Sequence, residues 1–152
     1  MKTKKLPLIL NVYRIWKDSL LSNVGYYVYH TAIEFEEIEY GYGKIVLETD
    51  NIDINISPED DCGIYEIPPM SYEDGEYIES LVIGHFDKNN KHLFYETLNE
   101  IKKKYLSSKY NLILNNCNHF TEEFMVKTLN KKIPSKYYSV YVKILDYFKH
   151  FF

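Results

Sequence analysis

Cys117 is the residue of this chain best placed to act as a nucleophile. It follows two asparagines and opens an apolar pattern typical of a helix, so the spacing predicts that the thiol lies in the first helical turn. Unpaired backbone N–H groups and the helix dipole favour negative charge at that position. They favour a thiolate, and also the oxyanion that forms when a thiolate attacks a carbonyl. The chemistry indicated is attack of a cysteine on an acyl bond.

A cysteine nucleophile needs a base, and His30 is the candidate. It lies in residues 26–35, where aromatic and β-branched residues predict a strand. The two-residue period of a strand places His30 with Val28 and Ala32, so it predicts small apolar neighbours rather than an aromatic wall. An alternative stays open for Cys117 on position alone, because a single cysteine near a helix start is more often a small buried hydrophobe than a nucleophile.

The polar residues around the cysteine have simpler interpretations. Asn115, Asn116 and Asn118 are interpreted as helix-capping residues, with an oxyanion role as the alternative. His119 follows Cys117 by two positions, about 200° around a helix, so it is predicted to face away and to have a structural role.

The other titratable residues are expected to be structural or exposed. His85, His92 and His150 have no partner at metal-ligand spacing, so surface roles are expected, and no metal or cofactor is predicted. Cys62 is expected to be a free structural thiol. A run of carboxylates is expected at solvent-facing or edge positions, with attraction of a basic modifier tail as the alternative. These carboxylates are Glu34, Glu36, Glu37 and Glu39.

The first two-thirds of the chain predicts strands, and the last third predicts helices. Apolar and alternating runs separated by glycines and prolines predict further strands at residues 8–13, 36–40, 44–48, 63–67 and 79–83, with an exposed acidic loop at residues 49–61. Helical spacing links Phe94, Leu98, Ile101 and Tyr105. A second helix is predicted over residues 117–129, with a buried stripe of Phe120, Phe124, Thr128 and Leu129.

The C-terminal segment, residues 135–152, is more apolar and aromatic than one packing face requires. Its stripe is interrupted by Lys143, Asp146 and Lys149, which make it a poor membrane span. Three interpretations stay open: a helix that docks on the domain, a dimer or partner surface, and an interfacial membrane contact.

The composition excludes several classes of protein. A chain of 152 residues fits one domain. Its 22 acidic residues outnumber 18 Lys and Arg, and no basic run is longer than three, so no nucleic-acid footprint is present.

Two cysteines are too few for a disulfide-stapled secreted domain. The apolar N-terminal stretch is interrupted by Asn11 and Arg14, so it is interpreted as a first strand rather than a signal peptide. The cytoplasm is the expected location, with nuclear entry open to a protein of 18.2 kDa.

Several short blocks occur in an order that is typical of one family. They are Leu10-Asn11-Val12-Tyr13, Tyr29-His30-Thr31-Ala32-Ile33-Glu34, Glu39-Tyr40-Gly41-Tyr42-Gly43, Tyr110-Asn111-Leu112, Asn115-Asn116-Cys117-Asn118-His119-Phe120 and Lys132-Ile133-Pro134. With these blocks the chain strongly resembles the PPPDE family, also called DeSI desumoylating isopeptidases. The resemblance runs from about residue 6 to residue 133, and the blocks around residues 30 and 117 together make it specific.

The resemblance implies a fold, a catalytic pair and a substrate class. The fold is α+β, a circularly permuted papain-like arrangement in which a small antiparallel sheet or barrel packs against helices, with residues 1–152 as one domain. His30 is implied to be the base and Cys117 the nucleophile of a dyad that acts on SUMO or ubiquitin conjugates. Because relatives can dimerise, a homodimer is a further expectation. The acidic segment between Gly43 and Gly63 departs from the family pattern, which leaves the choice of substrate open.

Two other functions are compatible with the same residues. The dyad could hydrolyse thioesters and remove acyl groups from protein cysteines, since a thiolate attacks a thioester more readily than an amide. A catalytically inactive module that binds a modifier or partner through its aromatic tail is the second alternative. The presence of both His30 and Cys117 argues against this inactive module.

Overall fold

The fold is a small antiparallel sheet with helices packed on it. The computed structural model of the protein describes residues 2–15, 27–43 and 61–137. Within these ranges the strands are β1 (Lys5–Ile15), β2 (Val28–Phe35), β3 (Ile38–Tyr42), β4 (Ile64–Ile67) and β5 (Glu76–Asp87), and the helices are α1 (His92–Lys102) and α2 (Cys117–Leu129). The strands pair antiparallel in the order β4-β3-β2-β1-β5. The predicted α+β class is confirmed.

The strand bounds differ from the predictions most at β5 and β3, and β1 also extends beyond the predicted residues 8–13 at both ends. β5 extends beyond the predicted residues 79–83 because it pairs with β1 along nearly the whole length of that strand, with two irregularities in register. Residues 36–40 do not form one strand: Glu36 and Glu37 form the tight turn between β2 and β3, with φ of 47° and 65°. Positive φ at both central residues suits a two-residue hairpin. The predicted strand at residues 44–48 and the loop up to residue 60 lie outside the described residues.

One face of the sheet packs against the helices through aromatic rings. The Phe94 ring of α1 stacks on Phe35 of β2 at a centroid distance of 4.2 Å and meets Phe124 of α2 edge-on at 5.0 Å. The predicted stripe of α1 is confirmed, since Phe94, Leu98 and Ile101 are buried, and Tyr105 is buried just beyond the helix. Burial of apolar side chains such as these is the main stabilising contribution in a small domain.

Helix α2 has the predicted bounds, and its stripe is confirmed in part. Phe120 and Phe124 are fully buried, whereas Thr128 and Leu129 near the C-terminal end are half-buried. The helix ends at Asn130, which adopts the left-handed conformation that commonly terminates a helix.

The chain after α2 returns to the sheet. A short 3₁₀ turn, Ser135–Tyr137, brings the buried Tyr137 ring edge-on to Tyr29 of β2 at 5.1 Å. Residues 138–152, which hold most of the predicted aromatic tail, lie outside the described residues. In the described part of the chain, none of the helices combines the length and the apolar character needed to cross a bilayer.

Candidate active site

The candidate site lies where β2 and β3 separate. Their pairing stops at Ile33 and Tyr40, although β2 begins at Val28 and β3 continues to Tyr42. His30 and Thr31 therefore lie on a part of β2 that is paired with β1 but not with β3. The gap gives the N-terminus of α2 access to the backbone of β2.

Asn116 caps the helix that carries the cysteine. Its side-chain oxygen accepts hydrogen bonds from the backbone N–H groups of Asn118 (2.9 Å) and His119 (3.4 Å), and His119 Nδ1 accepts one from the Asn116 N–H at 3.1 Å. This reciprocal pair is a capping box, which satisfies N–H groups that have no partner inside the helix. The predicted capping role of Asn116 and the structural role of His119 are confirmed.

Asn118 joins the helix to the strand, so its interpretation as a cap was wrong. Its Oδ1 accepts a hydrogen bond from the Thr31 hydroxyl at 2.7 Å, and its Nδ2 donates to the carbonyl oxygens of Tyr137 (3.3 Å) and Tyr29 (3.5 Å). Tyr29 and Thr31 precede and follow His30. Asn118 therefore fixes the first turn of α2 against the part of β2 that carries the histidine.

Asn115 also does not cap the helix. Its Nδ2 donates to the Lys109 carbonyl oxygen at 3.0 Å and to the Tyr42 hydroxyl at 3.3 Å. The backbone of Asn115 exchanges two hydrogen bonds with Asn111. The residue thus braces the loop that leads into α2.

Cys117 is the first residue of α2, and its side chain is buried. Only 4% of the residue is exposed, and this burial raises the pKa of the thiol to about 11. Backbone hydrogen bonds from Thr31, Asn118 and Cys117 itself lower the pKa and so partly oppose the effect of burial. The sulfur therefore lies against the backbone of the residue that follows His30, among N–H groups that favour its anion.

His30 is surrounded by aromatic side chains. Its ring stacks on Tyr72 at a centroid distance of 4.1 Å and 13°, and Tyr13 lies at 5.8 Å. Its Nε2 is 2.5 Å from the Tyr65 hydroxyl. The prediction of small apolar neighbours was wrong, because the neighbours come from β1, from β4 and from the loop after β4 rather than from β2 itself.

Burial favours the neutral forms of both predicted catalytic side chains. His30 is 2% exposed, and burial lowers the pKa of its imidazole to about 3. A buried thiol and a buried imidazole are thus both uncharged at neutral pH, and each ion is costly alone. Transfer of a proton from sulfur to ring would create both charges together, so that each could stabilise the other.

Glu39 forms a buried polar cluster beside these aromatic rings, which corrects the expectation that it is solvent-facing. The residue is fully buried, and its carboxylate accepts hydrogen bonds from Asn11 Nδ2 (2.8 Å), the Tyr13 hydroxyl (2.7 Å) and the Met70 N–H (3.1 Å). Burial and then the nearby carboxylate raise the pKa of Tyr13 well above its usual range. Glu36 and Glu37 are exposed as expected, and Glu34 is half-buried.

Comparison with known proteins decides the family. Residues 7–148 match the family described as "PPPDE putative peptidase domain". The chain belongs to the PPPDE family. A DeSI-like protein of Arabidopsis thaliana is 30% identical over 129 residues, which are 84% of this chain and 52% of that protein. A desumoylating isopeptidase 1 homolog of Caenorhabditis elegans is 28% identical over 136 residues, which are 86% of this chain and 37% of that protein. The chain spans about half or less of the length of these relatives.

A cavity opens beside the histidine of this PPPDE domain. Its volume is about 400 Å³. Tyr65 and Tyr72, which contact His30, form part of its wall. The lining residues are Tyr65, Ile67, Pro68, Ser71, Tyr72 and Glu73. The cavity is therefore separated from the buried imidazole by the two tyrosines that contact it.

The remaining candidates lie apart from this site. His85 and His92 are exposed, as predicted, and His150 lies outside the described residues. Cys62 is a half-buried free thiol that donates to the Ile64 carbonyl oxygen at 3.8 Å. Within residues 2–15, 27–43 and 61–137, acidic, histidine and cysteine side chains form no group of three or more that could hold a metal ion.

Sequence reasoning identified neither the tyrosines around His30 nor the buried carboxylate. Tyr13, Tyr65 and Tyr72 lie on three different segments, so no local spacing connects them. The one available signal was compositional: the chain has 16 tyrosines. A tyrosine combines a large apolar ring with a hydroxyl, which suits a buried polar site.

Proposed function

We propose that this chain is a cysteine isopeptidase that removes SUMO-type modifiers from protein conjugates, with Cys117 as nucleophile and His30 as base. Membership of the PPPDE family supports a peptidase. The Caenorhabditis elegans relative is named as a desumoylating isopeptidase 1 homolog, which supports SUMO as the modifier. Ubiquitin is the alternative to SUMO as the modifier that is removed.

One observation carries the proposal: the position of the Cys117 sulfur. It lies at the start of α2 and donates to Asn118 Oδ1 at 3.8 Å, and backbone donors that include Thr31, the neighbour of His30 in sequence, lower the pKa of the thiol. A merely structural cysteine needs no such donors, whereas a thiolate does. The hydroxyl of Tyr65 bonds to His30 and is also close enough to Cys117 for the charge of the thiolate to raise its pKa. The thiol and the imidazole thus share one set of neighbours.

The proposed reaction begins with transfer of the Cys117 proton to His30. The thiolate then attacks the carbonyl carbon of the modifier's C-terminal glycine, which is bonded to the lysine nitrogen of the target. The resulting tetrahedral oxyanion collapses when the imidazolium protonates the departing lysine amine. This leaves the modifier as a thioester on Cys117. A water molecule that gives a proton to His30 attacks this thioester, and the modifier leaves with a free carboxylate while the thiol is restored.

The donors that stabilise the oxyanion are restricted by the cap of the helix. The N–H groups of Asn118 and His119 donate to the side chain of Asn116. The backbone of Cys117 lowers the pKa of its own thiol, so its N–H lies next to the sulfur that would attack the carbonyl. We therefore assign oxyanion stabilisation to the Cys117 N–H first, in place of the whole helix end. The positive end of the α2 dipole lies at Cys117 and also stabilises the negative charge of the oxyanion.

Activity-based probes test this proposal. SUMO and ubiquitin that carry a C-terminal electrophile are incubated with the wild-type chain and with Cys117→Ala, His30→Ala and Cys62→Ala. We expect SUMO labelling of the wild type, no labelling of Cys117→Ala, and labelling of His30→Ala reduced by a factor on the order of 10²–10⁴, the usual contribution of a general base. Cys62→Ala is the matched control, because it removes the chain's other thiol, which donates to the Ile64 carbonyl oxygen, and it should be labelled like the wild type.

Four results would contradict parts of the proposal. Labelling that persists in Cys117→Ala removes that residue as the nucleophile. Labelling by ubiquitin alone replaces SUMO by ubiquitin as the modifier, and labelling by lipid-thioester probes alone identifies a thioesterase. Stable modifier binding without any labelling would identify a non-catalytic binding module.

Three further expectations from the sequence concern the domain, its location and its oligomeric state. We propose one domain over residues 1–152, a cytoplasmic location and a homodimer. Mass measurement of the chain with and without residues 135–152 tests the dimer, since an unchanged monomer mass in both would remove it.

A further inference from the structure

Tyr65 reaches the histidine across a neighbouring strand. It lies on β4 directly opposite Gly41 of β3, whereas His30 lies on β2 beyond that strand. A side chain at Gly41 would collide with the Tyr65 hydroxyl and ring, and one at Gly43 would touch the same ring. Two positions without side chains therefore let the ring lie flat over β3. The two glycines of the Gly41-Tyr42-Gly43 block thus leave the space that the Tyr65 side chain needs to cross β3.

The Tyr65 hydroxyl meets one nitrogen of the imidazole. Its oxygen is 2.5 Å from His30 Nε2. Burial and then the nearby Glu39 raise the pKa of Tyr65 well above its usual range, so the group stays a neutral phenol at physiological pH. A neutral phenol oxygen accepts a hydrogen bond, so it can pair with an N–H of the imidazolium that forms during catalysis.

The other two rings around His30 contact it differently. Tyr72 stacks on the face of the imidazole, and Tyr13 lies tilted beside it. These contacts restrict tilting of the ring, but stacking alone does not distinguish one ring nitrogen from the other. The hydroxyl of Tyr65 does distinguish them, because it engages Nε2.

We propose that Tyr65 is the positioning residue of the dyad: it holds Nε2 of His30 and so presents Nδ1 to the thiol of Cys117. This inference rests on the proposed function. In the step it assists, the proton leaves Sγ and arrives at Nδ1, and the Nε2–H of the resulting imidazolium donates to the Tyr65 oxygen. No other group gains or loses a proton. The arrangement gives the base a third group that orients it, as nucleophile and base pairs generally require.

The test is the pH dependence of Cys117 alkylation by iodoacetamide, followed by mass spectrometry of the Cys117 peptide so that Cys62 does not contribute. Tyr65→Phe keeps the ring and removes only the hydroxyl. We expect its reactivity at pH 7 to fall about tenfold, the effect of one hydrogen bond to a charged group, and the pH of half-maximal reactivity to rise by about one unit. Tyr95→Phe is the matched control: it removes another hydroxyl, which donates to Glu36 at 2.6 Å on the surface, and should match the wild type.

The outcomes separate this inference from the proposed function. If His30→Ala leaves Cys117 reactivity unchanged, the dyad is wrong, and the role of Tyr65 is wrong with it. If His30→Ala lowers the reactivity but Tyr65→Phe follows the wild-type pH profile, the dyad stands and the positioning role is overturned. A purely structural hydroxyl would change the urea midpoint without moving the pH profile, and that result also overturns the role.

A measurement on the wild type covers the case in which Tyr65→Phe does not fold. Nitrogen-15 NMR of the imidazole should show Nε2 of His30 engaged in a persistent hydrogen bond, with its proton protected from exchange with water. An imidazole whose two nitrogens both exchange freely with water would overturn the proposal.

Discussion

The two ends of helix α2 are held in different ways. Its middle and C-terminal part is held by apolar side chains: Phe120, Phe124 and Met125 are buried, and Phe124 packs on Phe94 of α1. Its first turn is held by hydrogen bonds, chiefly those of Asn118 with the strand that carries His30. We call these the apolar end and the polar end of α2.

This difference implies that the stability of the domain and the position of Cys117 depend on different contacts of α2. Apolar burial is non-directional, so it makes the helix pack without specifying its position to a fraction of an ångström. Hydrogen bonds require particular distances and angles, and a buried polar group that loses its partner costs about 1–3 kcal/mol. The apolar end should therefore determine whether the domain folds, and the polar end where Cys117 lies relative to His30.

The largest expected effect comes from the apolar end. Phe124→Ala removes a fully buried ring, and we expect the free energy of unfolding to fall by about 3–5 kcal/mol, measured by urea denaturation. Val126→Ala is the control on the same helix, since Val126 is exposed and should change stability by less than about 0.5 kcal/mol. A cost of less than about 1 kcal/mol for Phe124→Ala would contradict the assignment of stability to this end.

The second prediction concerns His30, which lies beside the polar end. Its pKa falls from an ordinary 6.5 to about 3 on folding, so between these values the unfolded chain binds the extra proton. Stability contributed by the neutral ring is therefore complete above pH 6.5 and is lost as the pH falls towards 3. The slope should be about 1 kcal/mol for each pH unit.

The comparison variant for this titration is His30→Gln, which keeps a polar side chain without a titrating group. Urea denaturation at pH 7, 6, 5 and 4 should show a shallower loss of stability for the variant, because the acidic residues contribute equally to both chains. Equal slopes would mean that the ring is not buried in its neutral form.

The third prediction concerns Asn118, whose replacement should change stability less than that of Phe124 but should also change the reactivity of Cys117. Asn118→Ala should cost about 1–2 kcal/mol, because the Thr31 hydroxyl keeps a second partner in Thr121 at 3.1 Å. Alkylation of Cys117 at pH 7 should nevertheless fall several-fold, because the first turn of α2 is no longer fixed to β2.

Thr128→Ala provides the comparison at the apolar end. It removes a hydrogen bond of 2.7 Å from the same helix, so its stability cost should be similar or smaller, while the reactivity of Cys117 stays at the wild-type level. If both variants lower the reactivity equally, the polar end does not have a special role in placement.

Local patterns in the sequence predicted the elements that depend on them. The helical spacing of Phe94, Leu98 and Ile101 predicted α1, and the asparagine before Cys117 predicted the start of α2. Both signals act within a few residues, where backbone geometry alone decides which side chains are neighbours. The family resemblance added the pairing of residues 30 and 117, which spacing could not supply.

The features that sequence reasoning missed depend on contacts between distant segments. Glu39 was expected on the surface because a carboxylate is rarely buried without partners, and its partners lie on β1 and in the loop after β4. The Glu36–Glu37 turn carries none of the glycine or asparagine signals of its type. Its conformation is supported by Lys91 at 3.2 Å and Tyr95 at 2.6 Å, both of which belong to a segment 50 or more positions away.

The passage of Tyr65 over Gly41 has a consequence for how this domain varies among species. The two positions face each other across β3 and β4, and an aromatic ring over a glycine is a favourable cross-strand pair. Any ancestor or descendant that acquires a side chain at position 41 must shrink or redirect residue 65 in compensation. The two positions should therefore covary, and lineages that lose the glycine should also lose the phenol.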